Sequence, residues 1–499
     1  MCGIVGIIGS APVIADNPDS RSWAASETCR GLLTLQHRGQ DSAGILSYDT
    51  VDGRFHGEKQ KGLITSVFTK DILEKLKGDM AIAHTRYVTT GSDDNTNLQP
   101  IVTGIPYGIG MVHNGNILNY HELRKSLHEK RGIQLITNND VELILALWCQ
   151  NMIKSGLSSF SFRESADALK DVFETLKGAW SVTGIIAGKG LFAFRDPMGI
   201  RPLAIGKRIS GGKTSFCITS ETVAMNFLGY EFIRDVYPGE FIFIDIDGQF
   251  HNTIIRKEKS HTPCMFEWVY FSGAESEFEG KSVYSARLAL GKLLALKIKK
   301  YISENRISPD VVVPVPDTSR TAAIGVAEHL GLPYREALIK NRYVYRSFIL
   351  GSQEKREKAV ELKLSPVKSE IRGKNILLVD DSIVRGTTSK KIINLLKRYG
   401  ALEVTLASTC PPIRFPCFYG IDFPSREELI ASRKDVSEIA NAINAREVIY
   451  MDETNLMEAL GRNNLCMACL NNKYPTDIKE GENFASMRKI ETTSSQESV

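Results

Sequence analysis

Three places along the chain hold residues whose types and spacing could do chemistry. At the amino terminus, "MCGIVGIIG" sets Cys2 directly behind the initiator methionine and ahead of a short apolar run. If the methionine is removed, one residue carries both a thiol and a free α-amino group. The plain alternative is a small apolar side chain opening a buried strand, because free cysteine is often simply buried. In the second half, "NILLVDDSIVRGTTSKK" runs from the apolar stretch Ile376 to Val379 into the paired acids Asp380 and Asp381. A small-residue loop with Ser382, Gly386, Thr387 and Thr388 follows. Backbone N–H groups and hydroxyls at a helix N-terminus can receive a phosphate. Two carboxylates at a strand end can bind ribose hydroxyls or a hydrated Mg2+. The Gly-Lys-Ser/Thr of a Walker A loop is absent, and no G-x-G-x-x-G follows a strand here. The bland explanation for the acids alone is an Asp pair capping the next helix. Near the end, "NNLCMACLNNKYPTDI" carries Cys466-x-x-Cys469, a spacing common to zinc, redox and iron–sulfur sites. A zinc ribbon or finger would show a second such pair or a histidine pair, and neither is found.

These residues need a scaffold, and the chain supplies material for one. At 499 residues it is long enough for several domains, at roughly 100–200 residues each. Hydrophobic residues make up 42%, and no apolar run reaches the ~20 residues of a membrane helix. The charge is nearly balanced, +4 from 62 basic and 58 acidic residues, which gives little support for nucleic-acid binding. The apolar run after Cys2 is too short, and too interrupted by Gly6 and Gly9, for a secretory signal. Nine cysteines without such a signal point to a reducing, cytoplasmic setting, with no membrane and no nucleic-acid partner.

The rhythm of the chain changes near residues 255–280. Before it, "GAWSVTGIIAGKGLFAFRDPMGIRPLAIG" reads as two or three buried strands, and "DVELILALWCQNMIKSG" as a helix starting near Asp140 and stopping at Gly156. From Ser282, helices alternate with buried strands such as "DVVVPVP", "KNILLVDD" and "LEVTLAST", the pattern of a doubly wound parallel sheet. The stretch from Tyr474 is polar, ends "ETTSSQESV", and is expected to be poorly ordered.

The acid-pair loop resembles the phosphoribosyl-pyrophosphate motif of type I phosphoribosyltransferases. That resemblance implies that Asp380 and Asp381 engage ribose hydroxyls and Mg2+, while Arg385, Gly386, Thr387 and Thr388 hold a 5′-phosphate. It further implies that Thr318, in "VPVPDTSRTAAIG", is a third Mg2+ ligand. The basic stretch "KNRYVYRSFILGSQEKREK" looks like the lid such enzymes close over substrate.

In the first half, "LQHRGQDSAG", "HTRYVTTG" and "VHNGNILN", with the leading Cys-Gly-Ile, resemble the N-terminal-nucleophile glutamine amidotransferases. The four motifs with the phosphoribosyl loop downstream are similar to the amidophosphoribosyltransferase family, over roughly residues 2 to 475. The implied fold is α/β. A four-layer αββα glutaminase domain over 2–255 precedes a type I phosphoribosyltransferase domain over 265–472, whose parallel sheet is flanked by helices. A disordered tail over 473–499 completes the chain.

The physical sense of Cys2 then follows. A thiol with an ordinary pKa near 8.5 needs a base to become a nucleophile. An α-amino group, ordinarily about 7.7–8.0, suits that role. The resemblance implies that Cys2 attacks the glutamine amide, with Asn114 and the Gly115 N–H as the oxyanion hole. Arg86 would clamp the substrate carboxylate and Asp140 its ammonium. An Asn-Gly pair is also a favoured hairpin turn, and both readings can hold together.

One branch of the family carries a structural 4Fe-4S cluster. The chain resembles that branch at "PCMFEWVYF" and "FPCFYGID" as well as at the pair, which implies Cys264, Cys417, Cys466 and Cys469 as ligands. Cys29, Cys149, Cys217 and Cys410 match no ligand position and are expected to be buried. Where the family usually has arginine after "FEWVYFS", this chain has Gly273.

The activity implied is glutamine-dependent synthesis of 5-phosphoribosylamine from 5-phosphoribosyl 1-diphosphate, the first step of purine synthesis. One Mg2+ and one cluster per subunit, purine nucleotides as feedback inhibitors and a homotetramer are implied with it. The competing reading is a phosphoribosyl-fold regulator with a vestigial glutaminase domain.

Overall fold

The computed structural model describes residues 2–9, 21–87, 95–156, 160–258, 260–341, 364–421, 423 and 425–497. From Arg342 onward the basic stretch expected to form a lid lies outside them, as do Val88 to Gly91 of "HTRYVTTG".

The opening apolar run has a simple cause. Along the strand Gly3–Ile8, Ile4 and Ile8 face a second sheet, while Val5 and Ile7 face helices on the other side. A strand covered on both faces needs no polar alternation. It lies inside a seven-stranded antiparallel sheet, between Lys213–Thr219 and Met80–Arg86. A six-stranded antiparallel sheet, with Ile109–Ile117, Gly178–Ile186 and Gly190–Arg195 at its centre, stacks against it. The layer between the sheets is filled by residues such as Ile4, Ile82, Val112, Ile185 and Ile218. Helix Trp23–Thr34 covers the outer face of the first sheet, and helices Asp140–Ser155 and Phe162–Thr175 that of the second. The result is the expected αββα stack.

The second half builds a four-stranded, all-parallel sheet in the order Val311–Pro314, Asn375–Asp380, Glu403–Ser408, Val448–Tyr450. Period-two alternation splits its side chains between two cores. Val312, Leu377 and Val379 meet helices Val283–Ser303 and Arg320–Leu330, while Val311, Ile376 and Leu378 meet Thr387–Arg398 and Val436–Ile443. The first of these cores continues into the glutaminase half through Leu118, Ala179 and Ile200.

The tail expected to be disordered from residue 473 is instead largely helical, over Ile478–Glu497. Its polar composition hid one apolar contact surface. Phe484 is buried against the same core, and a Cβ on Gly481 would stand only 2.0 Å from the Phe418 ring. Tyr474 stacks on Phe418 with ring centroids 4.5 Å apart.

Candidate functional site

The backbone parity that turns Ile4 and Ile8 toward the second sheet also carries Cys2 that way. The backbone N–H of half-buried Cys2 donates to Asn114 Oδ1 at 3.2 Å. Asn114 sits on the strand Ile109–Ile117, 1% exposed, and its Nδ2 makes no hydrogen bond. Leaving a buried donor unmade costs about 1–3 kcal/mol, so this one is poised for an incoming acceptor. Next to it, Gly115 has φ +153°, and a Cβ there would meet the Ala179 carbonyl oxygen at 2.0 Å. Only glycine fits.

Arg86 ends the strand Met80–Arg86, whose Thr85 lies opposite Gly3. Its Nη1 donates to the Asn97 carbonyl at 3.2 Å. Asp140 opens the helix Asp140–Ser155, which lies in the chain between the strands Ile109–Ile117 and Gly178–Ile186, accepting the Ile117 N–H at Oδ2 (3.2 Å) and lying 3.1 Å from His113 Nδ1 through Oδ1. Burial would raise the Asp140 pKa. His113 beside it, the Ile117 N–H and the Arg86 charge outweigh burial and hold the carboxyl below its ordinary range. A thiol, a buried amide donor, a guanidinium and a carboxylate thus converge from two sheets and one helix.

The residues that hold these groups were not visible in the sequence. Asn139 caps the helix by accepting the Val141 N–H at 3.1 Å, and donates to the Asn97 carbonyl at 2.7 Å. Gln99 donates to Asn139 Oδ1 at 3.2 Å and accepts the His113 N–H at 2.7 Å. Lys59 Nζ pins the flanking carbonyls of Leu98 and Pro100, at 2.7 and 3.0 Å. Asn-Asn-Asp ahead of an apolar helix is a readable cap signal. The other contacts join distant segments and leave no local pattern.

At the second candidate site, Asp380 ends its strand where such sheets place ligands. Thr318 Oγ1 donates to Asp381 Oδ2 at 2.5 Å, Ser382 Oγ to Asp381 Oδ1 at 2.7 Å, and Ser319 Oγ to Asp380 Oδ1 at 3.3 Å. Burial and the charge of Asp381 push the Asp380 pKa well above the carboxylate range. Burial raises Asp381 too, against the hydroxyls of Thr318 and Ser382 and the charge of Arg287. No lysine or arginine among the described residues forms an ion pair with either acid. Two desolvated carboxylates beside a hydroxyl are an all-oxygen set that fits a hard divalent cation such as Mg2+. Gly386 caps the next helix at φ +74°, where a Cβ would meet Ile430 Cδ1 at 2.6 Å. Arg385, Thr387 and Thr388 are exposed around it, with Arg385 Nε 2.7 Å from Glu428 Oε2. The sequence reading missed Arg287, a buried cation that donates to the Trp268, Tyr270 and Ser272 carbonyls.

Cys264, Cys417 and the pair Cys466 and Cys469 come from three separate segments into one core. Cys264 and Cys466 form a parallel bridge, with the Cys466 N–H donating to the Pro263 carbonyl at 2.9 Å. The N–H groups of Arg414 and Phe415 both reach the Cys469 carbonyl at 3.0 Å. Cys417 Sγ accepts the Tyr419 N–H at 3.4 Å. Burial pushes the Cys264 thiol up to about 11 and those of Cys466 and Cys469 well above ordinary, with the neighbouring sulfurs adding to each. No three of these sulfurs gather within 4.8 Å of one another. Four thiols brought into one core are a donor set that fits a thiophilic metal or cluster. Cys29, Cys149, Cys217 and Cys410 are buried, as expected.

The departure at Gly273 also has a place. Its N–H donates to Glu221 Oε2 at 2.8 Å, as does Ser276 Oγ, while wholly buried Arg38 pairs with both Glu221 and Glu267. At position 273 the backbone N–H, rather than a side chain, serves this junction cluster.

Comparison with known proteins agrees with the two-domain fold. A family model described as a glutamine amidotransferase domain matches residues 84–226, and one described as a phosphoribosyl transferase domain matches 284–443. The class is therefore a glutamine amidotransferase joined to a phosphoribosyltransferase. Amidophosphoribosyltransferase of Haemophilus influenzae is 41% identical over 460 residues, 92% of this chain and 89% of the relative. That of Escherichia coli is 43% identical over 470 residues, 93% and 89% of the two chains. A solved structure of glutamine phosphoribosylpyrophosphate amidotransferase from B. subtilis, complexed with ADP and GMP, superposes with a TM-score of 0.82 at 38% identity, covering 96% of this chain and 98% of that one. The chain belongs to the amidophosphoribosyltransferase family. It is a pentosyltransferase that moves glutamine nitrogen onto 5-phosphoribosyl 1-diphosphate, the first step of purine biosynthesis.

Proposed function

We propose the following division of labour between the two sites. With the methionine removed, the Cys2 amine takes the thiol proton and the sulfur attacks the side-chain amide carbon of glutamine. The oxyanion that forms is met by Asn114 Nδ2 and the Gly115 N–H. Arg86 binds the substrate carboxylate bidentately, and Asp140 binds the ammonium. The Cys2 ammonium returns its proton to the amide nitrogen as the tetrahedral adduct collapses, which expels ammonia and leaves a glutamyl thioester on Cys2 that water hydrolyses to glutamate. Ammonia passes inside the protein to C1 of 5-phosphoribosyl 1-diphosphate, because in bulk water it would take up a proton and lose its lone pair. Diphosphate leaves as the new C–N bond forms.

In the second site, Asp380 and Asp381 orient the ribose hydroxyls, and Arg385, Gly386, Thr387 and Thr388 hold the 5′-phosphate. Asp380, Asp381 and Thr318 also hold one Mg2+ per subunit, which supplies positive charge against the departing diphosphate. Cys264, Cys417, Cys466 and Cys469 hold one 4Fe-4S cluster per subunit, tying the end of the chain across the junction. Purine nucleotides act as feedback inhibitors, a reading supported by the ADP and GMP in the related solved structure, and the assembly is a cytoplasmic homotetramer.

The observation that carries the glutaminase reading is the Cys2–Asn114 hydrogen bond with its unused Nδ2 donor. Purified protein given glutamine, 5-phosphoribosyl 1-diphosphate and Mg2+ should release glutamate and diphosphate in equal amounts. A Cys2→Ala variant that still draws nitrogen from glutamine at the parental rate would refute the assignment. Iron content, brown colour and N-terminal mass test the cluster and methionine removal; a colourless, iron-free preparation would remove the cluster.

A further inference from the structure

We propose that His113 is a positioning residue that sets recognition of the substrate α-amino group, by locking the Asp140 carboxylate. The proposal rests on the reading of Asp140 given above. The His113 side chain is only 1% exposed, and its Nδ1 lies 3.1 Å from Asp140 Oδ1. The other carboxylate oxygen accepts the Ile117 N–H at 3.2 Å. Each oxygen therefore has one fixed partner, and the plane of the carboxylate cannot turn without breaking one of them.

The two elements involved are cross-linked a second time. The His113 N–H donates to Gln99, which in turn donates to Asn139, the residue just before Asp140. Strand and helix are thus joined through side chains on both flanks of the ring. On its far edge, His113 Nε2 has no hydrogen-bond partner and would stand 2.9 Å from a Cβ at Gly115. These contacts assign the hydrogen to Nδ1, since one on Nε2 would be buried without an acceptor. The ring then donates to Asp140, with its other edge lying against Gly115 of the same strand.

The test compares glutamine with 4-carbamoylbutanoate, the same amide without the α-amino group. His113→Ala should lower kcat/KM for glutamine on the order of 10–100-fold, mostly through KM, because a charge-assisted hydrogen bond is worth about 1.5–3 kcal/mol. For the analogue the loss should stay below about threefold, since Asp140 has no ammonium to bind there. His113→Asn keeps a donor near the Nδ1 position and should recover most of the glutamine preference, even if His113→Ala folds poorly. Asp140→Asn separates the two ideas. If it leaves the preference for glutamine intact, the role of Asp140 is wrong. If it erases the preference, while both His113 variants slow the two substrates equally, the proposal for His113 is overturned.

Discussion

The side-chain amide of Asn116 donates to the backbone carbonyl of Phe418 at 2.9 Å, across 302 positions of sequence. Asn116 stands two residues beyond Asn114 on one strand, and Phe418 directly follows Cys417. Two residues further on, Gly420 packs so closely that a Cβ there would lie 3.1 Å from the Gly115 carbonyl oxygen. The loop that leaves Cys417 is therefore laid directly on the strand end that carries Asn114 and Gly115.

Asn116→Ala should loosen this joint without touching either substrate. Removing one partner of a buried hydrogen bond costs about 1–3 kcal/mol, so the thermal midpoint should fall. More telling is stoichiometry: glutamate release should exceed diphosphate release. Unchanged one-to-one yields in the variant would show that the contact does not couple the sites.

Asn114→Ala removes the unused amide donor while leaving Arg86 and Asp140 in place. The expected loss in kcat for glutamine is ~10²–10³, with KM little altered. Steady-state glutaminase rates decide this, and a variant hit mainly in KM would place Asn114 in ground-state binding.

The acid pair makes a signed prediction about pH. Asp380 and Asp381 both have folded pKa values above the ordinary 3.8. Their contribution to stability is full below that value and is lost as pH rises through the raised values. Without Mg2+ the protein should therefore weaken from mildly acidic toward neutral pH, and Mg2+ should restore it most at the higher pH. Thermal midpoints with chelator and with Mg2+ measure this. In Asp380→Asn both the slope and the Mg2+ gain should shrink.

Asp235 offers a second, independent titration at the domain junction. Burial and the adjoining Glu279 and Glu277 push its carboxyl up to about 7, against the pull of Arg195 and the Glu279 N–H. Stability from this group is present in acid and lost as pH rises through that value. Asp235→Asn keeps an acceptor for the Glu279 N–H without the charge. It should match the parent below about pH 4, pull ahead as pH rises from there toward 7, and stay ahead by roughly 1 kcal/mol or more at higher pH. Chemical denaturation across that range measures the difference.

Much of this protein was written locally. Strand and helix spans follow from where apolar side chains recur, because each element buries its own face and closes its own backbone hydrogen bonds. The alternation of "KNILLVDD" and "TTSKKIINLLKRYG" sufficed for the parallel sheet, and Cys2, Asp380 and Asp381 stand out because their neighbours are chemically incongruous. Tertiary structure alone decided which side chains support them. Gln99 reaches His113 and Asn139, Asn116 reaches Phe418, and Phe484 finds a core that turns a polar tail into a helix. Such contacts depend on where whole elements dock, and docking is set by the summed burial of many residues, which no short stretch of sequence records.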